Sequence, residues 1–425
     1  MSAISRFTHS TRAQLWSACL GNFFEHYDTA LFGLLSPFLA PLIFPNQDPI
    51  NALILTYALV PMGMLARPIG SLVFGYLGDM YGRQHALFLS LTGMAIVSGG
   101  IAFIPTYLQA GLLAPLLFFL GRALQNFLSG GEIMGGAIFL LENTSERRHD
   151  LLSSLYNAST MGGHLLASFG VYLLSLYGGL DPGWRLLYLF GCITALFGCM
   201  VRRQTHVPAD STTPSQPLSN LGMIFWAYRK PLLLIALCSG FAYANYSIAL
   251  ILMNGFIPLI SSISKTEIME INSYLLIFDF CALPFFGWLA SKMSREKLML
   301  SASLGAALFA TPLIMLLEQA SLVSVIFVRL CFVISGVAFS APLHAWAQNL
   351  VPPSHRYAVI SFGYALGSQV IGVPTAAISL WCFQKTGMVS SVSWYWVALA
   401  IASSLSIVLA MRAKNEVQIL ERPQI

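Results

Sequence analysis

Twelve apolar stretches, each long enough to cross a lipid bilayer as a helix, follow one another along the 425 residues of the chain. A helix needs about 20 apolar residues to cross the hydrocarbon layer. The stretches cover residues 14–40, 52–77, 85–104, 112–141, 153–177, 185–202, 231–259, 269–291, 297–317, 321–349, 357–383 and 393–412. They predict an all-α membrane protein, because in lipid a helix satisfies its own backbone hydrogen bonds.

The composition argues against most soluble classes of protein. Asp, Glu, Lys and Arg make up 9% of the residues, against about 25% in an ordinary soluble domain. So few charges cannot cover a surface in water, which argues against a soluble enzyme, a nucleic-acid-binding protein and a disordered scaffold. The cysteines form no C-x-x-C pair, and no Walker, H-E-x-x-H or G-x-S-x-G sequence is present. We therefore expect a lipid bilayer and a small molecule as partners, and neither an enzymatic activity nor a metal site.

The basic residues predict how the chain is oriented in the membrane. With both termini in the cytoplasm, sixteen of the 22 Lys and Arg residues fall on the cytoplasmic side and three on the other side. Cytoplasmic loops of membrane proteins carry an excess of Lys and Arg. Both termini are therefore predicted to be cytoplasmic.

The longest polar interruption divides the chain into two halves. Residues 203–230 contain three prolines and many serines and threonines, which is typical of a flexible linker. Residues 1–202 and 231–425 would then each form a six-helix bundle. The sequence GYLGD at 75–79 has an echo in GWLAS at 287–291, 212 residues later. Such a repeat is typical of transporters that bind substrate between two related halves.

Four segments carry a resemblance to a known family. They are GNFFEHYD at 21–28, RPIGSLVFGYLGDMYGRQ at 67–84, RALQNFLSGGEIMGG at 122–136 and GWR at 183–185. With these segments the chain resembles the major facilitator superfamily, and within it the metabolite:proton symporters of bacterial inner membranes, such as proline/betaine and 2-oxoglutarate carriers. The resemblance implies twelve helices in two pseudo-symmetric bundles, an inner-membrane location, and a proton as the coupling ion without other cofactors. We expect a monomer.

Seven ionisable residues lie inside predicted spans, where a charge costs about 2.5–3.5 kcal/mol. They are Glu25, Asp28, Arg67, Arg122, Glu132, Asp279 and Arg329. Glu25 and Asp28 are three residues apart and share a helix face. Two close carboxylates cannot both ionise cheaply there, so Asp28 is predicted to carry the proton with help from Glu25. The alternative is a structural ion pair with a neighbouring helix. By resemblance, Arg122 matches the superfamily's arginine that is tied to proton transfer.

Five residues are candidates for the substrate site: Arg67, Asp279, Glu132, Tyr27 and Trp346. Arg67 could bind a carboxylate with its planar guanidinium or act as counter-ion to Asp28. The 212-residue offset places it opposite Asp279 across one cavity. Glu132 lies among glycines that more often serve helix packing. Tyr27 and Trp346 are candidate aromatic walls, which would suit a quaternary ammonium, although packing is the commoner role.

The loop after the second stretch predicts a gate. Gly75 permits close helix packing, and Gly82 allows a sharp turn. Asp79 can hold Arg83 or the positive N-terminal end of another helix, which by resemblance is the eleventh. Breaking these contacts would open the inward side, and a plain ion pair is the alternative.

Together these features predict a secondary transporter that imports a small polar metabolite, a carboxylate or a zwitterion such as proline or betaine, by proton symport with alternating access. The alternatives are a proton-independent exchanger or facilitator, and a membrane sensor that transports nothing. The prediction requires that Asp28 and Arg67 face a crevice shared by the two bundles and not the lipid.

Overall fold

Helices follow the apolar stretches along the described chain, and the described residues contain no β-strand. The structure is a computed structural model. It describes residues 9–64, 66–81, 83–130, 137, 140–141, 148–176, 180–204, 221–319 and 321–420.

The described part of the first half contains six long helices and the one-turn helix Tyr107–Ala110. α1 is His9–Ile43, α2 comprises Pro49–Met64 and Ala66–Tyr81, α3 is Arg83–Ile101, α4 is Leu113–Ser129, α5 is His149–Leu176 and α6 is Leu180–Gln204. Helix α1 begins five residues before the predicted stretch, because the polar residues at its start extend the helix beyond the apolar part.

The described second half also contains six long helices, of which α7 and α11 include π-helical stretches. α7 is Arg229–Ile260 with a π-helical stretch at Ser247–Leu252, α8 is Lys265–Lys292 and α9 is Arg295–Met315. α10 comprises Leu322–Ser340 and Leu343–Gln348, α11 comprises Pro353–Ala365, a π-helical stretch at Leu366–Gly372 and Thr375–Thr386, and α12 is Trp394–Leu420. In the predicted linker, Leu221–Ala227 is a short helix, and residues 205–220 lie outside the described residues.

Local sequence explains where several helices begin and end. Before α8, the Ser264 hydroxyl accepts a hydrogen bond from the Glu267 backbone N–H, and the Glu267 carboxylate accepts one from the Ser264 backbone N–H. This reciprocal capping satisfies backbone donors that a helix start leaves open. Helix α11 ends at Thr386, and the φ of +71° at the following Gly387 suits a residue without a side chain.

Length and hydropathy show which described helices could cross a membrane. Six are long and apolar enough, all of them in the second half: Arg229–Ile260, Lys265–Lys292, Arg295–Glu318, Leu322–Gln348, Ala358–Thr386 and Val389–Ala413. In the first half, the described apolar helices Pro49–Leu59, Phe88–Ile101 and Leu113–Ser129 are shorter.

Glycines allow the helices around α5 to approach closely. A side chain at Gly163 would collide with the backbone of α1 around Phe23. On the other side of α5, Gly287 of α8 lies against Ser154 in the same way. Small residues at such crossings are the usual means of tight helix packing in membranes. Helix α5 is therefore held between α1 of its own half and α8 of the other half.

Candidate functional site

A small cavity lies between the two halves, near the middle of the helices that surround it. Its wall comes from α1, α2 and α5 of the first half and from α7 and α11 of the second. The polar and aromatic side chains in this wall are Thr29, Tyr57, His164, Tyr243, Tyr246 and Ser247. The two bundles therefore share a central cavity. Asp28 and Arg67, which the sequence predicted to face it, are not among the described residues of its wall.

Hydrogen bonds between the halves close the cavity on the side where α1 ends, which we call the outer side. The Tyr57 hydroxyl of α2 donates to the Ile251 carbonyl of α7, at 3.0 Å. Lys265, at the start of α8, donates to the Pro37 carbonyl of α1, at 2.7 Å. These bonds hold α1 and α2 against α7 and α8.

A second set of contacts closes the inner side, where α1 begins. The Asn157 side chain of α5 donates to the Ser340 carbonyl of α10, at 2.7 Å. Asp150, at the start of α5, forms an ion pair with Arg295 of α9, at 3.1 Å. With contacts on both sides of the cavity, the described residues form an occluded arrangement.

Asp28 lies inside the first bundle, in a chain of hydrogen bonds that leads to the cavity wall. Its carboxylate accepts hydrogen bonds from the Ser98 hydroxyl and from the Gln125 amide, the latter at 2.8 Å. The Gln125 oxygen in turn accepts a bond from Arg122, at 2.8 Å. Arg122 also donates to the backbone carbonyl of Thr29, at 3.3 Å. A neutral amide thus connects the buried acid to the buried cation.

The second oxygen of Asp28 is free of hydrogen bonds. Asp28 is 3% exposed, and its Oδ1 is buried with no hydrogen-bond partner among the described residues. The backbone of α6 leaves room for this atom because residue 191 is glycine; a methyl group there would lie 2.8 Å from Oδ1. A proton can therefore be held at Oδ1 without displacing either existing hydrogen bond.

Glu25 faces a different neighbour. Its carboxylate forms an ion pair with Arg67 of α2, at 2.9 Å, and Arg67 also donates to the Ser129 hydroxyl of α4, at 2.9 Å. Both charged side chains are almost fully buried. The structure therefore pairs Arg67 with Glu25 and not with Asp28, which corrects the counter-ion hypothesis.

Arg67 and Asp279 are predicted to lie on opposite walls of one cavity, and their role in binding substrate stays a prediction. Among the described residues the cavity wall includes neither of them. The guanidinium of Arg67 is drawn to Glu25 and Ser129 inside its own bundle. Asp279 of α8 is 8% exposed, and within the described part of the chain it forms no hydrogen bond or ion pair. It interacts electrostatically with Tyr246, which does line the cavity.

Tyr27 and Trp346 do not line the cavity either. The Tyr27 hydroxyl donates to the Leu187 carbonyl of α6, at 3.0 Å, and the side chain is 1% exposed. Trp346 is also 1% exposed, in the short inner segment of α10. Both side chains are packed inside the protein, and their predicted role in the substrate site stays a prediction. The aromatic wall is formed instead by residues that the sequence did not single out; the three-residue spacing of Tyr243 and Tyr246 was the available signal, because it places both on one face of α7.

The predicted gate cannot be compared with the structure. Gly82 and Glu132 lie outside the described residues, as do the side chains of Asp79 and Arg83 and the surroundings of Gly75. Their roles stay predictions.

The second bundle contains a buried arginine with a different environment. Arg329 of α10 is 0% exposed and donates to the Ala249 carbonyl of the π-helical stretch in α7, at 3.0 Å. It also donates to the side-chain oxygens of Asn254, at 3.0 Å, and of Asn272. No carboxylate pairs with it in the described part of the chain. Amide oxygens and a backbone carbonyl therefore stabilise the positive charge of Arg329.

Comparison with known proteins places the chain among membrane transporters. It matches the family model "Sugar (and other) transporter" over residues 15–206 and the model "MFS/sugar transport protein" over residues 138–348. A predicted proline/betaine transporter of Staphylococcus aureus (strain COL) is 28% identical over 399 residues, which cover 91% of this chain and 85% of the relative. The citrate-proton symporter of Klebsiella pneumoniae is 28% identical over 398 residues, which cover 91% and 88%.

Solved structures with the same fold are also transporters. The crystal structure of a D-xylose-proton symporter superimposes with a TM-score of 0.76 at 16% identity, covering 93% of this chain and 97% of that one. A partially occluded inward-open structure of the xylose transporter XylE from E. coli gives a TM-score of 0.73 at 16% identity, covering 94% and 97%. These matches confirm the predicted all-α fold of twelve helices in two bundles.

Proposed function

Because the chain belongs to the major facilitator superfamily and is a membrane-embedded transporter, we propose that it imports a small polar metabolite by proton symport. In this proposal it works as a monomer in a bacterial inner membrane, with both termini in the cytoplasm. Its small-molecule substrate binds in the cavity between the bundles. The proposed substrate is a carboxylate or a zwitterion, since relatives over nearly the whole chain are described as transporting proline and betaine or citrate.

The single observation that carries the proton coupling is the hydrogen-bond chain from Asp28 to the cavity wall. Asp28 has one oxygen in hydrogen bonds and one oxygen free for a proton. It can therefore exist in two charge states without rearrangement of its neighbours. We assign it the coupled proton, and assign Glu25 to the structural ion pair with Arg67.

The same chain supplies a link between proton and substrate. While Asp28 is ionised, its negative charge balances Arg122 through Gln125. After Asp28 takes up a proton, the positive charge of Arg122 is no longer balanced, and Arg122 lies directly behind Thr29 of the cavity wall. An anionic group of the substrate is then attracted to that wall. By linkage, a bound carboxylate favours the proton as strongly as the proton favours the carboxylate.

Alternating access follows from the two sets of contacts between the halves. The outer bonds of Tyr57 and Lys265 and the inner bonds of Asn157 and Asp150 lie on opposite sides of the cavity. Opening one side requires that one set breaks while the other holds. We propose that the segment Gly75, Asp79, Gly82 and Arg83 adds to the inner set.

Uptake into proteoliposomes tests the proposal. With an imposed pH gradient, acid outside, the wild type should accumulate labelled glycine betaine, proline or citrate against a concentration gradient. Asp28→Asn should lose this accumulation but retain exchange of labelled for unlabelled substrate, because exchange needs no net proton movement. Asp48→Asn, which alters an exposed acid in the α1–α2 connection, is the matched control and should behave as wild type.

The outcomes separate the alternatives. Accumulation that ignores the gradient would favour the exchanger or facilitator, and the absence of movement of any tested solute would favour the sensor. Full concentrative uptake by Asp28→Asn would remove Asp28 from the coupling.

A further inference from the structure

Three aromatic rings form one continuous face of the cavity. His164 of α5 stacks on Tyr246 of α7 with ring centroids 4.6 Å apart and planes 26° apart. Tyr243 meets Tyr246 edge to face at 5.8 Å. All three residues line the cavity. The face therefore combines rings from both bundles at the level where a substrate would be occluded.

The chemistry of this face favours a cation as the group that binds there. The Nδ1 atom of His164 is buried without a hydrogen-bond partner among the described residues. No lysine or arginine belongs to the described cavity wall, and Arg122 lies behind Thr29. The π-faces of aromatic rings attract cations because their quadrupole is negative above the ring.

Asp279 supplies the charge that such a cation would need. Four acidic side chains are buried in the described part of the chain. Glu25 pairs with Arg67, Asp150 pairs with Arg295, and Asp28 accepts bonds from Ser98 and Gln125, which leads on to Arg122. Asp279 has no comparable partner among them. An ionised carboxylate without a partner is expensive inside a membrane protein, and such residues mark ligand pathways.

The position of Asp279 on α8 directs it toward the neighbouring helices of the protein. It lies seven residues after Asn272, which is two helical turns, so both residues occupy the same face. The side chain of Asn272 contacts Ser168 of α5 and Arg329 of α10. That face of α8 is therefore directed at the other helices and not at lipid. Asp279 lies close enough to Tyr246 of the aromatic face to act on it electrostatically.

We propose that the aromatic face of His164, Tyr243 and Tyr246, together with Asp279, binds a positively charged nitrogen of the substrate. This inference rests on the proposed function and narrows its substrate class to cations and zwitterions with a substituted ammonium group. A carboxylate at the other end of a zwitterion would lie toward Thr29, where Arg122 attracts it. A tricarboxylate has no group for the Asp279 end and is excluded as the preferred substrate.

A pair of ligands with the same shape tests the charge requirement. Glycine betaine and the tert-butylacetate anion differ in that a neutral carbon replaces the quaternary nitrogen. Calorimetry on the full-length wild type in nanodiscs should show glycine betaine binding at least about tenfold more tightly than tert-butylacetate, and citrate binding more weakly than glycine betaine. Equal affinities for the isosteric pair, tighter binding of citrate, or no binding of glycine betaine would overturn the inference.

Variants then assign the effect to residues. Asp279→Asn should weaken glycine betaine binding about tenfold or more and leave tert-butylacetate unchanged, while Asp279→Glu should recover part of the loss. Glu270→Gln removes a carboxylate from the same helix at a position away from the aromatic face, and should leave both affinities as in the wild type. Tyr246→Phe should bind nearly normally and Tyr246→Leu should not, because the ring and not the hydroxyl makes the contact.

This experiment is independent of proton coupling. If Asp279 served only as a proton site, Asp279→Asn would lose gradient-driven uptake but keep its preference for glycine betaine over tert-butylacetate, and the inference would be wrong. A wild type that binds glycine betaine selectively but never accumulates it under a pH gradient would contradict the proposed symport and leave the binding site standing. Should Asp279→Asn fail to fold, the wild-type affinities for glycine betaine and tert-butylacetate still test whether the site requires a positive charge.

Discussion

The two bundles place a buried arginine at corresponding positions but compensate its charge in different ways. Arg122 of α4 donates to the Thr29 carbonyl of α1, and Arg329 of α10 donates to the Ala249 carbonyl of α7. In each bundle the fourth helix thus reaches a backbone oxygen of the first. The internal repeat therefore extends to a specific hydrogen bond between pseudo-equivalent helices.

The residues around each arginine differ in whether they can change charge. Arg122 is linked through Gln125 to Asp28, a group that can gain or lose a proton. Arg329 is surrounded by the amide oxygens of Asn254 and Asn272, which cannot. The first bundle therefore has a switchable balance of charge and the second a fixed one. The difference supports the proposal that proton coupling belongs to the first bundle. Asp279 is the one buried acid among the described residues of the second bundle, and we propose that it serves the substrate.

Replacing a carboxylate by an amide in the first bundle tests whether an amide can stabilise a buried arginine there as it does in the second bundle. This change should have the largest effect on stability. Glu25→Gln removes the ion-pair partner that Arg67 has on α1, which should lower the free energy of unfolding by about 3–5 kcal/mol. Unfolding in mixed micelles measures this. The double variant Glu25→Gln with Arg67→Met also removes the charge of Arg67. It should recover most of the lost free energy of unfolding. A loss below about 1 kcal/mol for Glu25→Gln would show that amides compensate equally well in both bundles.

Removing each arginine in turn should separate a coupling role from a structural one. Arg329→Gln loses hydrogen bonds of a charged donor to Asn254 and Asn272, and should lower the free energy of unfolding by about 3 kcal/mol while uptake stays coupled to the pH gradient. Arg122→Gln should show the reverse, with coupling lost and a smaller change in stability. The comparison fails if Arg329→Gln folds normally and loses gradient-driven accumulation.

Crowding the free oxygen of Asp28 should weaken coupling without removing any charge. A methyl group at Gly191 would lie 2.8 Å from Asp28 Oδ1, and forcing such a contact typically costs about 1–3 kcal/mol. Gly191→Ala should therefore reduce accumulation under a pH gradient about tenfold. Gly100→Ala, where nothing lies within 4 Å of the added methyl group, is the control in the same bundle. Unchanged accumulation by Gly191→Ala would indicate that the proton is held elsewhere.

The smallest effect is expected where the two bundles meet on the outer side. Tyr57→Phe removes the hydrogen bond to the Ile251 carbonyl, which is worth about 1 kcal/mol, and should raise the ratio of outward-open to occluded molecules about fivefold. Spin-label distances between the outer ends of α2 and α11 report this ratio. Tyr274→Phe, at an exposed position of α8, should leave it unchanged. An unaltered distribution in Tyr57→Phe would mean that other contacts hold the outer side.

The sequence predicted the six membrane spans of the second half and the burial of six of the seven charged residues inside predicted spans. Both follow from hydropathy along the chain. The sequence could not predict which charges pair. Glu25 and Asp28 share a helix face, but three residues turn the helix by about 300°, which leaves the two side chains about 60° apart. That difference directs Glu25 to Arg67 of α2 and Asp28 to Ser98 and Gln125 of α3 and α4.

The offset between the two halves was also a poor guide to which residues correspond. Applying 212 residues to Arg67 selected Asp279, whereas Arg122 and Arg329 are 207 residues apart. Insertions between the halves change the offset from helix to helix, so one matching motif does not fix the others. The π-helical stretch of α7 was equally invisible in the sequence. Two of its carbonyls accept hydrogen bonds from Arg329 and Tyr57 on other helices, and these tertiary contacts do not appear in a local pattern.

Proton movement during substrate uptake tests the assignment of coupling to the first bundle most directly. When glycine betaine is added to proteoliposomes without an imposed gradient, the wild type should make the external medium more alkaline as protons enter with the substrate. Asp28→Asn should show no alkalinisation, although it still exchanges labelled for unlabelled substrate. Alkalinisation by Asp28→Asn at the wild-type ratio of protons to substrate would contradict the account.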